Sequence, residues 1–194
     1  SEGALGGSRK WTVVSMVPGR TPLAALIEVL APVMGMPAEQ LSARLRAEPT
    51  ALAWELRKHL GEERGVAVFL DQLEELVTIA DPTETALVGA ALGRLAARVP
   101  GVRMLMTVRS DFLARVATVP GLGDELARGL YLLRPMTSDK IREAIVGPAH
   151  AKGVHFESES MVEALAETTA KTDGGLPLLQ FALTELWEAR QGDS

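Results

Sequence analysis

The sequence predicts an α/β fold with a parallel sheet over residues 1–135, followed by an all-helical part over residues 136–194. Three observations carry this. The run Val66 to Leu70 (VAVFL) is apolar without alternation, the pattern of a strand buried on both faces of a parallel sheet. Runs of strand length alternate with amphipathic stretches, which implies right-handed crossovers and a doubly wound sheet. Past about residue 135 helical patterns continue and no strand is evident.

The elements follow in order. Trp11 to Val17 (WTVVSMV) is a β-rich run stopped by Pro18-Gly19. Thr21 can cap a helix with Pro22 in its first turn, and Leu23, Leu26, Ile27 and Leu30 recur at helical spacing. Helices are expected from Ala38 to Arg46 and from Pro49 to Leu60, the second with Leu52, Leu56 and Leu60 on one face. After the buried strand, Glu84 to Arg98 reads as a helix with Leu87, Ala91, Leu95 and Val99 at steps of four. Val102 to Val108 (VRMLMTV) is a third strand and Leu130 to Leu133 a fourth. Leu133 to Met136 (LRPM) reads as the hinge between the two parts. Helices are then expected at Ser138–Ala151, Glu159–Ala170 and Leu176–Arg190.

Composition limits the function classes. A chain of 194 residues suits one large domain, or one domain with a small satellite. No apolar run reaches the roughly 18 to 20 residues needed to cross a bilayer, so no membrane role is expected. With no cysteine there is neither a disulfide framework nor a thiolate metal site, which fits a cytosolic, cytoplasmic protein. A net charge of −5 and no stripe of Lys and Arg argue against direct nucleic-acid binding by this segment. His59, His150 and His155 are separated without ligand spacing and read as structural.

The chemistry concentrates where strands end. Ligands of open parallel α/β sheets bind at the carboxyl edge of the strands. Asp71 follows the run Val66 to Leu70 directly, where phosphoryl-transfer proteins place a carboxylate for Mg²⁺ beneath a nucleotide's phosphates. Glu74 and Glu75 are the candidates to orient or deprotonate an attacking water, and the choice between them is open. A plainer role also exists: Asp71 capping the next helix, with the glutamates favouring its dipole. Arg109, at the end of the neighbouring strand, can reach a phosphate. Its plainer role is an ion pair with Asp111 or Asp71. Gly174-Gly175-Leu176-Pro177 opens the last helix, either as an ordinary helix start or as a turn packed on a nucleotide base. Trp187, with Phe181, Leu183 and Leu186, reads as the core of the helical part, where an exposed portion can dock a neighbouring domain.

The order VFLDQLEELVT, MTVRSDFL, LRPMTSDKIREAIVGPA, GGLPLLQFALTELW resembles the bacterial STAND-class NTPase modules, a group found beside WD40 repeats or effector domains. The resemblance covers nearly the whole chain. It implies an ASCE-type, AAA+-like P-loop NTPase core followed by a helical subdomain, using ATP or ADP with Mg²⁺. Asp71 would match the Walker B aspartate and hold the metal. Glu74 or Glu75 would match the extended acidic, catalytic position, and Arg109 the sensor arginine. Pro177, with Gly175 beside it, would match the GxP turn that touches adenine. The resemblance also implies a switch that self-associates and works with fused effector or repeat domains. The phosphate loop G-x-x-x-x-G-K-[ST] is absent: GALGGSRK leads into Trp11 with no Ser or Thr after Lys10 and no strand before it. The chain therefore reads as a fragment lacking its first strand and loop, expected to bind nucleotide poorly by itself. The rival expectation is a non-catalytic scaffold that keeps the fold.

Overall fold

A computed structural model describes residues 9–190, so the GALGGS part of the N-terminal segment lies outside the described residues. The chain divides into two compact units, Ser1–Leu130 and Tyr131–Ser194.

The first unit is built on three parallel strands, β1 (Lys10–Met16), β2 (Arg64–Leu70) and β3 (Val102–Met106), in the order β1-β2-β3. The apolar run of the sequence is thus the central strand. Between β1 and β2 lie α1 (Pro22–Met34), α2 (Ala38–Ala47), a 3₁₀ turn at Pro49–Ala51 and α3 (Leu52–Leu60). Between β2 and β3 lie the single-turn α4 (Glu75–Thr78) and α5 (Pro82–Ala96). After β3 come a 3₁₀ turn at Ser110–Phe112, α6 (Leu113–Val116) and α7 (Gly123–Gly129).

Local chemistry sets the helix starts. Asp81 caps α5 by accepting from the Thr83 and Glu84 amides at 2.9 and 3.1 Å, so this helix begins earlier than its apolar spacing suggests. Thr21 makes no side-chain cap on α1. Glu84 of α5 does that work from a distance, its Oε2 accepting from the Leu23 amide at 3.2 Å. The same carboxylate pairs through Oε1 with Arg46 at 3.2 Å, tying α1, α2 and α5 together.

Both crossovers advance across the sheet in the same direction, and right-handed connections of that kind put their helices on one face. That face is the core. Val66, Val68 and Leu70 of β2 are buried with Leu23, Leu26 and Leu30 of α1, Leu52 and Leu56 of α3, and Val88 and Leu92 of α5. Each large side chain taken fully out of water contributes about 1.5–3 kcal/mol. On α5, Gly93 runs so close to the turn before α7 that an added Cβ would lie 2.0 Å from the Gly121 carbonyl oxygen.

The other sheet face corrects the expectation of two-sided burial. The register aligns Val13 with Ala67 and Phe69 with Leu105 on that face. Val13 is 70% and Leu105 66% exposed, while Ala67 and Phe69 are half-buried. Among the described residues no element covers them. The expected fourth strand also fails: Leu130 to Leu133 forms no ladder, and Leu133 is 86% exposed. A strand needs an edge to pair with, and no strand pairs with this segment among the described residues.

The second unit is helical: α8 (Ser138–Ala151), α9 (Glu159–Lys171) and α10 (Gly175–Glu188). Thr137 and Ser158 cap α8 and α9 through the Lys140 and Met161 amides, at 3.4 and 3.3 Å. Its core is Ile141, Ile145, Val162, Ala166 and Leu179, with Leu183 packed at the edge. Phe181 and Trp187 do not form that core; they are 66% and 42% exposed, and Leu186 is exposed too. At about 100° per residue, Phe181 points roughly opposite to the buried Leu179 two positions earlier.

Candidate functional site

The carboxyl edge of the sheet gathers most of the singled-out residues. Asp71 is the first residue after β2, and its amide donates to the Met16 carbonyl at 2.9 Å, so its backbone still belongs to the sheet. Gln72 then turns left-handed at φ 55°, an uncommon conformation for a residue with a Cβ. That turn lets the Gln72 amide donate to Asp71 Oδ1 and to Thr107 Oγ1, each at 3.1 Å. The Thr107 hydroxyl in turn donates to Asp71 Oδ1. Oδ1 is therefore held by two donors, while no donor reaches Oδ2 among the described residues.

The two glutamates part company here. Glu75 Oε2 accepts from the Gly19 amide at 2.8 Å, which ties α4 to the loop after β1. Glu74 Oε2 accepts from the Arg109 backbone amide at 3.3 Å, beside the end of β3. Arg109 is exposed and its guanidinium is paired with Asp111, Nε to Oδ1 at 3.1 Å and Nη2 to Oδ2 at 2.8 Å. Those bonds hold the arginine above its ordinary pKa and the Asp111 carboxyl below its own. Arg109 also lies over the Phe112 ring, 5.4 Å from its centroid. Of the two plainer ion pairs open to Arg109, the one formed is with Asp111.

Gly175 and Pro177 lie in the second unit, at the first turn of α10. Gly175 is buried, and an added Cβ would sit 2.5 Å from the Thr169 carbonyl oxygen of α9. Close helix packing thus requires this glycine whatever else the turn does. Pro177 is exposed, at a helical position whose amide has no carbonyl to reach within the helix. A shallow groove of about 440 Å³ runs along the same helix, lined by Ala144, Leu176, Leu179, Leu183 and Trp187.

The Novel STAND NTPase 1 family model matches residues 3–194 of this chain. The chain belongs to the Novel STAND NTPase 1 family. Searches of curated proteins and of solved structures found no match.

For a STAND NTPase, Asp71 passes a chemical test as a Mg²⁺ ligand. Mg²⁺ keeps several waters and takes one or two carboxylates plus phosphate oxygens, with no all-protein cage required. One carboxylate with one oxygen left without a protein partner fits that demand. Among the described residues no group of three or more His, Asp or Glu side chains is gathered to hold a metal ion. His150 and His155 do come together, their rings 5.0 Å apart, which corrects the expectation that they stand separate; the turn after α8 brings them round. Sequence reasoning missed Gln72 and Thr107. Thr107 is found only through the register, which pairs Leu70 with Met106 and so sets Thr107 beside Asp71.

Proposed function

We propose that this chain is the nucleotide-binding module of an ATP-dependent signalling switch. ATP or ADP with Mg²⁺ binds at the carboxyl edge of the sheet. Asp71 supplies a carboxylate oxygen to the metal, Glu74 orients and deprotonates the attacking water, and Arg109 meets the phosphates. Nucleotide controls self-association and the release of a fused effector, through different affinities for two conformations of the protein. The observation that carries the reading is the convergence of Asp71, Glu74 and the Arg109 backbone at one sheet edge, within a Novel STAND NTPase 1 chain.

Glu74 is favoured over Glu75 as the base because its carboxylate lies at the end of β3 beside Arg109, whereas the Glu75 carboxylate is turned to the Gly19 amide in the loop after β1. A second reading, a non-catalytic scaffold, is favoured by the exposed apolar sheet face around Val13 and Leu105.

The test is ATP binding and turnover in the longest native polypeptide carrying this sequence, beside Asp71→Ala, Glu74→Ala and Arg109→Ala. Loss of turnover in all three is expected. Unchanged binding and turnover in all three would sink the site, and a parent that neither binds nor hydrolyses ATP would favour the scaffold. These 194 residues contain no phosphate-loop pattern. Turnover by them alone would also contradict the reading.

A further inference from the structure

We propose that Thr107 is a positioning residue for Asp71, fixing its carboxylate so that Oδ2 is the oxygen offered to a divalent cation. This rests on the reading of Asp71 as the metal ligand and adds how the ligand is held.

The backbone of Thr107 is itself locked. Its amide donates to the Leu70 carbonyl at 2.9 Å, and its carbonyl accepts from the Leu73 amide at 2.9 Å. The β2–β3 ladder is thereby carried around Asp71, which lies between Leu70 and Leu73. Thr107 is β-branched and stiff about χ1, so a fixed backbone leaves its hydroxyl few places to be. It donates to Asp71 Oδ1 while itself accepting from the Gln72 amide at 3.1 Å. Asp71 Oδ1, Thr107 Oγ1 and the Gln72 amide form a closed triangle of hydrogen bonds.

The donors are neutral, and this is what makes the triangle suited to a metal ligand. A lysine or arginine on Oδ1 would hold the carboxylate but cancel the charge that attracts a cation. A hydroxyl and an amide hold it and leave the charge in place. The cation at hand, Arg109, is two residues away and is paired with Asp111 instead. The left-handed Gln72 backbone fits the same picture, since strained conformations persist where surrounding bonds over-determine them. A carboxylate already held in one orientation loses less freedom when it takes up a metal, which is how outer partners raise metal affinity.

The experiment is Mn²⁺ titration, followed by EPR of the free ion, of the longest native polypeptide with ADP present. Thr107→Val keeps the shape and removes the donor; Thr107→Ser keeps the donor. Thr107→Val is expected to weaken Mn²⁺ binding by about 10- to 100-fold, with Thr107→Ser staying close to the parent. ADP affinity in EDTA should be unchanged in both, and Thr107→Val should melt only about a few degrees below the parent, since it loses one hydrogen bond to a carboxylate. Parent-like Mn²⁺ binding by Thr107→Val, with binding lost in Asp71→Ala, overturns the positioning role and leaves Asp71 as ligand. An equal loss of ADP affinity in EDTA also overturns it, because a general structural role would do that. A parent that binds no Mn²⁺ with ADP, or an Asp71→Ala variant that binds like the parent, overturns the reading of Asp71 and this proposal with it.

Discussion

Glu75 accepts a hydrogen bond from the Gly19 amide at 2.8 Å, binding the turn after β2 to the loop after β1. Glu74, next to it in sequence, accepts instead from the Arg109 amide at the end of β3. Adjacent carboxylates are thus assigned to opposite neighbours of the central strand. Replacing Glu75 by Ala should lower stability by about 1–3 kcal/mol, since a hydrogen bond to a charged group is lost and the amide is left unmet. Glu74→Gln should leave stability nearly unchanged and reduce ATP turnover. Denaturant unfolding of both variants, beside turnover in the native polypeptide, separates the two roles.

Asp111 holds the Arg109 guanidinium through two hydrogen bonds, so a phosphate must win the arginine from a carboxylate. Asp111→Asn is expected to tighten nucleotide binding by no more than a few-fold, because exposed ion pairs are weak. Arg109→Ala should loosen it. The Asp111 carboxyl is held below its ordinary value by the hydrogen bonds from Arg109. Whatever the pair adds to stability is therefore fully present above the ordinary carboxylate pKa and is lost as pH falls through the depressed one. An NMR titration of the Asp111 carboxyl that followed an ordinary aspartate would contradict this.

Gln72 occupies the left-handed region at φ 55°. Glycine there should relieve backbone strain worth about 1–3 kcal/mol, offset by its greater freedom in the unfolded chain. The expected net change for Gln72→Gly is neutral to stabilising by about 1 kcal/mol, read by thermal or denaturant unfolding. A clear loss of stability would mean the Gln72 side chain matters to the turn.

Gly93→Ala is expected to be severe. The added Cβ would meet the Gly121 backbone oxygen at 2.0 Å, and backbone on both sides leaves nothing flexible to yield. A loss of about 3 kcal/mol or more, or failure to fold, is expected. Ala90→Ser, on an adjacent half-buried position, should cost far less in the same unfolding assay.

The positions of Asp71 and Arg109 at neighbouring strand ends were readable along the chain. VAVFL running into Asp71 marked a central strand and the edge where it ends, because apolar runs of that length have few other places to go. Arg109 was readable in the same way. Gln72 and Thr107 were not: a left-handed backbone at a glutamine has no local signature, and a threonine matters here only through the residue across from it. Phe181 and Trp187 misled because their apolarity says nothing about which side of α10 a neighbour covers.

The sequence by itself determined the three strands, the long helices and their order along the chain, and the chemistry present at each strand end, but not the failure of the fourth strand or the short helices α4, α6 and α7. What it determined depends on short-range patterns: spacing of apolar residues, capping side chains, turn residues. Only the tertiary structure decided which strand end faces which. It paired Asp71 with Thr107, gave Glu74 to Arg109 and Glu75 to Gly19, and left one face of the sheet uncovered among the described residues. Register and crossover direction fix those pairings, and both are properties of segments brought together from dozens of residues apart.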